Sequence, residues 1–334
     1  MNSPSPNSSY YGSLYGSLVA RWSVWWSARS SLQKFFPLIM VGIYWLTLMG
    51  LRGFRSDHIF VGVAWSLLYY AGPLLLPVYR FMLPLLVLGV VYDSQRFFSD
   101  YLRAAIHVWE PYAFDKLLFG ISSASGVLTP NEWFQLHTNS VLDFITGFAY
   151  LFFITAYVAF CAYFVFWKSR RGSLTVPAAE FKQRSIWMMW AFLFLNFLGF
   201  STYYWYPAAP PWYVALHGLG PAKVDTLASV AGCIRFDQLL GTHFFSDMYG
   251  RSTDVFGAIP SLHIAYPLLA VYFAFALGSA RIFAVGFYLL MCFSAVYLNH
   301  HYILDILWGS AYALLMGWLV DQKIRPAFYA AKFR

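Results

Sequence analysis

Charge is the scarcest ingredient of this chain. Only 11% of its 334 residues are Asp, Glu, Lys or Arg, against roughly 25% in a soluble domain, so most of the molecule cannot face water. The three cysteines, Cys161, Cys233 and Cys292, stand apart with no CxxC spacing, which indicates neither a zinc site nor a disulfide framework. No internal repeat is evident, and residues 1–20 lack the basic-then-apolar order of a signal peptide. A compact basic face is missing too. The net charge of +8 is dispersed over short segments between apolar runs, which orients a membrane protein and does not indicate nucleic-acid binding.

What fills the chain is apolar and aromatic: 60% hydrophobic residues and 22% Phe, Trp and Tyr. The expected fold is all-α, a polytopic membrane helix bundle with Trp and Tyr at its interfaces. Runs approaching or reaching the spanning length of roughly 17–25 residues fall at 35–51, 58–77, 79–95, 141–167, 186–205, 259–277, 281–298 and 300–320. Eight spans are expected, with six as the alternative, because the second and third runs are separated only by Pro77 to Arg80. Residues 1–34 read as a Ser/Gly/Pro/Tyr-rich disordered tail entering an interfacial helix at Trp22, Trp25 and Trp26. Residues 35–140 read as N-terminal spans and a loop with amphipathic helices lying on the membrane. Residues 141–320 read as the membrane domain that carries the chemistry, and 321–334 as a basic tail. Asn139 or Ser140 is placed to cap the fourth span.

The distribution of charge sets the orientation. Residues 1–34 carry net +3, 168–184 net +4 and 321–334 net +3, whereas 96–140 and 206–256 are each −1. Basic segments stay cytoplasmic, so both termini are expected in the cytoplasm and the long loops in the lumen or periplasm.

Two stretches place titratable groups at the mouth of this bundle, where they are costly. One reads Phe256-Gly-Ala-Ile-Pro-Ser-Leu-His263, the other Tyr297-Leu-Asn-His-His301-Tyr-Ile-Leu-Asp305. Pro260 suits a first helical turn. Ser261 and the free N–H groups of that turn offer a phosphate site, with His263 in the same turn. His301 and Asp305, four apart, share a helix face. Asp305 can therefore hold the proton on one imidazole nitrogen and leave the other to attack phosphorus, while a second histidine protonates the leaving oxygen. A metal site is the weaker use of these groups, since no acidic pair of the kind Mg²⁺ takes stands beside them.

Pro260-Ser-Leu-His263 together with His301-x3-Asp305 resembles the type-2 phosphatidic acid phosphatase superfamily, whose signatures are K-x6-R-P, P-S-G-H and S-R-x5-H-x3-D. Three basic signature positions differ: the first-signature Lys and Arg are Tyr203 and Pro210, and the Arg of the third is Ala295, beside a retained Ser294. The Gly of P-S-G-H is Leu262. In place of the basic clamp stands Tyr203-Tyr-Trp-Tyr-Pro-Ala-Ala-Pro-Pro-Trp-Tyr213. With GAIPSLH and HHYxxD, this is similar to the inositol phosphorylceramide synthase branch over about 186–320.

The resemblance implies a six-helix core and transfer of phosphoinositol from phosphatidylinositol to ceramide, with diacylglycerol leaving. His301 would be the nucleophile, Asp305 its orienter and His263 the acid and base. It implies no cofactor; an accessory subunit stays open. The run 203–213 reads either as an interfacial belt with a rigid turn or as a headgroup pocket with Tyr204, Pro210 and Trp212 in its wall. Asn299, His300, Arg235 and Arg251 are either phosphate or inositol contacts or solvated loop residues. Asp143 either bonds inositol hydroxyls or caps its helix. The rival activities are a lipid-phosphate phosphatase with water as acceptor and a non-catalytic transporter or scaffold, which would want polar or broken helices at mid-membrane depth.

Overall fold

The structure is a computed structural model describing residues 6–98, 103–124, 126–172, 176–250 and 255–332. It divides into residues 1–90 and 91–334. In the first unit α1 (Pro6–Ser27), α2 (Ser31–Gly50) and α3 (Ser56–Tyr70) precede α4 (Leu76–Ser94), which continues past the division. Within the segment 1–34, α1 covers residues 6–27 and α2 begins at Ser31. Ser30 and Gln33 close a reciprocal cap at the start of α2, satisfying two end donors.

The second unit carries α5 (Trp109–Phe119), a hairpin of β1 (Ile121–Ser123) and β2 (Gly126–Leu128), α6 (Pro130–Leu136), α7 (Ser140–Ala162), α8 (Ala178–Trp205), α9 (Pro211–His217), α10 (Ile234–Leu240), α11 (Phe244–Tyr249), α12 (Leu262–Ala276), α13 (Arg281–Tyr297), α14 (Ile303–Leu319) and α15 (Arg325–Lys332). Wider π turns extend α7 to Arg171 and join α14 to α15. Asn139 caps α7, its side chain accepting the N–H of Val141 and Leu142. Each predicted apolar run becomes a helix. Among the described residues five helices are long and apolar enough to cross a membrane: 31–50, 76–97, 140–171, 178–205 and 303–331. Helix α12, with 15 residues, is only about 22 Å long, shorter than a hydrocarbon core of roughly 30 Å.

That short helix is the centre of the unit. It packs on α7, α8, α13 and α14, and residues from Leu262 to Ala274 are buried on all its faces, as expected of a central rod. Its start lies close against α14: a Cβ on Gly309 would stand 2.3 Å from the carbonyl oxygen of Ser261, so only glycine admits that approach. Tyr266 on α12 donates to Asn196 on α8 at 2.6 Å, satisfying a polar pair inside the bundle.

One local expectation is corrected. Pro260 lies before the helix, whose cap is Ser261, because the preceding backbone is held extended: Ala208 pairs with Gly257 and the Ser261 N–H donates to the carbonyl of Asp305. Helices α5 and α6 pack on α14 and α13, and they bury Asp115 and Asn131.

Candidate active site

Helices α12 and α14 begin side by side, and each start carries its motif. The 298–302 turn, between α13 and α14, is fastened from several directions. Gly232 N–H donates to the Leu298 carbonyl and Trp212 N–H to that of Asn299. Asn131 donates to the carbonyls of Val296 and His301. Asn299 takes a φ of 61°, a left-handed conformation that Asn tolerates.

His301 precedes α14 instead of riding on its face, so the pair with Asp305 forms as part of the helix cap. Asp305 Oδ2 accepts the N–H of Tyr302 at 2.9 Å and faces His301 Nδ1 at 3.1 Å. The Ala258 carbonyl faces the same nitrogen at 3.1 Å. Two acceptors place the proton on Nδ1, which leaves the lone pair on Nε2. That Nε2 lies 3.0 Å from Nδ1 of His263, so His263 donates to it. His301 is 5% exposed and Asp305 fully buried, so the Nε2 lone pair lies in a site largely closed to bulk water.

Aromatic rings hold the second histidine. Tyr150 of α7 stacks on His263 at 4.3 Å and on His300 at 5.1 Å, and Tyr249 stacks on the far face of His300 at 5.0 Å. Burial pushes His300 down to a pKa of about 3, with His301 adding to the effect, so this imidazole is neutral. Its Nε2 lies 3.2 Å from the Val230 carbonyl. His300 is therefore part of the wall behind the pair and offers no cation to a phosphate.

The remaining sequence-derived residues separate into groups. Ser261 caps α12, fully buried, and its hydroxyl has no hydrogen-bond partner. Arg235 is engaged on every side: Nε donates to Asp143 at 2.6 Å, and the other nitrogens to Gln135 and the Tyr297 carbonyl. Asp143 also accepts from the Tyr297 hydroxyl. This pair braces α7, α10 and the end of α13 behind the 298–302 turn. Tyr204, Pro210 and Trp212 hold loops together. The Tyr204 carbonyl accepts from Ala104, Pro210 is buried, and Trp212 packs with Val108, Ala209, Tyr213 and Phe256. Between them Ala208 bridges His107 on one side and Gly257 on the other, so the proline-rich run fixes the strand that carries the Ala258 carbonyl. Arg251 lies outside the described residues.

Sequence reasoning missed Asp115, Asn131, Gln135 and Tyr150, which touch the site from 113 to 189 residues away in the chain. None of the four stands in a local motif, and Asp115 is one acid in a stretch that reads as an amphipathic loop. Among the described residues, no group of three or more His, Cys, Asp or Glu side chains stands placed to hold a metal ion.

Residues 124–319 match the PAP2 superfamily. The chain belongs to that superfamily. Both helix-start motifs fall inside the matched segment, and the apolar helices make the chain a multi-pass membrane protein. Among curated relatives, the phosphoinositol dihydroceramide synthase of Bacteroides thetaiotaomicron is 33% identical over 301 residues, covering 87% of this chain and 92% of that one. The inositol phosphorylceramide synthase catalytic subunits of Schizosaccharomyces pombe and Saccharomyces cerevisiae are 28% and 30% identical, over 71% and 68% of this chain. The aligned part spans about half the length of each fungal relative, 52% and 53%. No solved structure matches the chain.

Proposed function

We propose that this PAP2 protein transfers phosphoinositol from phosphatidylinositol to the hydroxyl of a ceramide or dihydroceramide, releasing diacylglycerol. The observation that carries the chemistry is the His263–His301–Asp305 relay, whose His301 Nε2 lone pair points away from the carboxylate and is held only by His263. The substrate class rests on the synthase relatives, one of which the chain matches nearly end to end.

In the first step His301 Nε2 attacks phosphorus and takes the place of its bond to His263. A histidine–phosphorus bond forms, the bond from phosphorus to the glyceride oxygen breaks, and His263, which takes up a proton once the phosphodiester anion lies beside it, gives that proton to the departing oxygen. Asp305 and the Ala258 carbonyl hold the Nδ1 proton and stabilise the charge on His301. In the second step the lipid hydroxyl gives its proton to His263 and attacks phosphorus, and the nitrogen–phosphorus bond breaks. The unpartnered Ser261 hydroxyl and the N–H groups of the first turn of α12 support a place for phosphoryl oxygens.

The test is purified protein in lipid nanodiscs with radiolabelled phosphatidylinositol, with and without ceramide. Labelled inositol phosphorylceramide should form only when ceramide is present. Release of labelled inositol phosphate at the same rate without ceramide would support the water-acceptor reading instead. Imidazole is both nucleophile and acid here, so transfer should persist in excess EDTA. Loss on chelation that Mg²⁺ or Mn²⁺ restores would overturn the metal-independent step.

The site is proposed to face the lumen or periplasm, with both termini cytoplasmic, on the basis of the loop charges. A cysteine replacing Leu227, which is 87% exposed in the outer loop, should react with an impermeant maleimide from outside sealed cells or right-side-out vesicles. One replacing Arg171 should react only after permeabilisation. The opposite pattern would put the site on the cytoplasmic face.

A further inference from the structure

Two buried carboxylates meet at the start of α14, and only one belongs to the relay. Asp115, from α5, is fully buried. Its Oδ2 accepts the N–H of Ile303 at 2.8 Å and its Oδ1 that of Leu304 at 3.0 Å. Asp305 takes the next N–H back, that of Tyr302, together with His301 Nδ1. The free donors of the helix start are thus divided. A helix start left without acceptors draws in the nearest anion, and Asp305, in the first turn with its Oδ1 lacking a partner, is that anion. With Asp115 occupying Ile303 and Leu304, Asp305 stays turned toward His301.

We infer that Asp115 is a positioning residue for the phosphoinositol transfer proposed above: by capping α14 it releases Asp305 to hold the Nδ1 proton of His301. Asn131, 1% exposed, completes the hold by donating to the His301 carbonyl at 3.0 Å. Burial pushes the Asp115 carboxyl up to about 6, and the neighbouring Asp305 adds to this while the two amides oppose it. Above pH 7 it is largely the anion that the amides require. Asp115 precedes the matched segment 124–319, so the device is contributed by the region upstream of the shared core. It also closes the start of α14 to phosphate and leaves the start of α12, beside Ser261, as the open end.

The inference rests on the proposed reaction, and its test has arms that do not. Wild type, Asp115→Ala and Asp115→Asn are prepared in nanodiscs with ¹⁵N-histidine labelling. Without substrate, the His301 nitrogen shifts should report a single Nδ1–H tautomer in wild type and a tautomer mixture in Asp115→Ala. Amide exchange over 302–306 should rise about tenfold or more, with 262–276 and 281–297 unchanged. In the transfer assay kcat should fall about 10- to 100-fold, as misplacing a reacting group by an ångström does, with KM within twofold. Asp115→Asn, which keeps one acceptor oxygen, should recover part of kcat. If Asp115→Ala does not fold, Asp115→Asn carries the same readouts with smaller changes. An unaltered His301 tautomer in a folded variant would overturn the inference, and so would a KM increase at constant kcat or faster exchange throughout the bundle. If wild type makes no inositol phosphorylceramide, the proposed function fails while the tautomer and exchange arms still judge the role of Asp115.

Discussion

Replacing His301 with alanine is expected to abolish phosphoinositol transfer, leaving no product above background in a protein that still folds and inserts. The nucleophile has no substitute nearby. His263 presents Nδ1 to the same point, but no carboxylate among the described contacts holds its other nitrogen, and His300 is neutral and pinned to the Val230 carbonyl. Asp305→Asn is the graded companion. An amide offers either an N–H or a carbonyl to His301 Nδ1, so the tautomer is no longer dictated, and the positive charge formed on attack loses its counter-charge. Loss of an orienting carboxylate costs about 10⁴-fold in a serine protease, and about 10²- to 10⁴-fold is expected here. Here the Ala258 carbonyl remains as a second acceptor at 3.1 Å, so the lower part of that range is the closer expectation. Rapid quench followed by acid-labile phosphohistidine detection distinguishes the two variants. His301→Ala should accumulate no labelled protein, and Asp305→Asn should label slowly. A normal rate in His301→Ala would end the assignment of the nucleophile.

Each half of the relay was legible because its residues are close in sequence, and the two halves, 38 residues apart, were joined by the resemblance. Four residues separate His301 from Asp305, and Ser261 and His263 share one helix start. Even so, the geometry differs from a shared helix face: Asp305 bends back over the cap to reach a histidine that lies outside the helix. The apolar runs located the helices, since a 20-residue span carries its signal in its own composition. What could not be read is whatever depends on remote partners. Asp115 reaches Ile303 across 188 residues and Asn131 reaches the His301 carbonyl across 170, and in the sequence each is one more polar residue between apolar runs. Arg235 and Asp143 illustrate the reverse difficulty. Either alone is a reasonable headgroup contact, and only the structure places them 2.6 Å apart, each already engaged by the other.

The second large effect concerns which lipid is used. Transfer from phosphatidylinositol is expected to exceed hydrolysis of phosphatidic acid by at least about tenfold in the same preparation, a margin that corresponds to roughly 1.4 kcal/mol in barrier height. A phosphate monoester approaches two negative charges at neutral pH, and arginine is the usual residue for holding it with paired hydrogen bonds. The three basic positions of the superfamily signatures are filled otherwise here. Tyr203 gives its hydroxyl to the Pro260 carbonyl at 3.1 Å, Pro210 is buried, and Ala295 is fully enclosed, its carbonyl accepting from His300 and His301. A phosphodiester carries a single charge, which the start of α12 and the Ser261 hydroxyl can meet with hydrogen bonds. Restoring arginine at Ala295 is not a clean test, because the site has no room for the side chain and overpacking alone costs about 1–3 kcal/mol. The clean comparison is of substrates on the wild-type protein: labelled phosphatidylinositol with ceramide against labelled phosphatidic acid, at matched mole fraction in the bilayer. Faster release of phosphate from phosphatidic acid than use of any diester lipid would reject the transferase reading in favour of a phosphatase. A protein active on neither, with the His301 tautomer intact, would point to a scaffold that has kept the relay without its substrate.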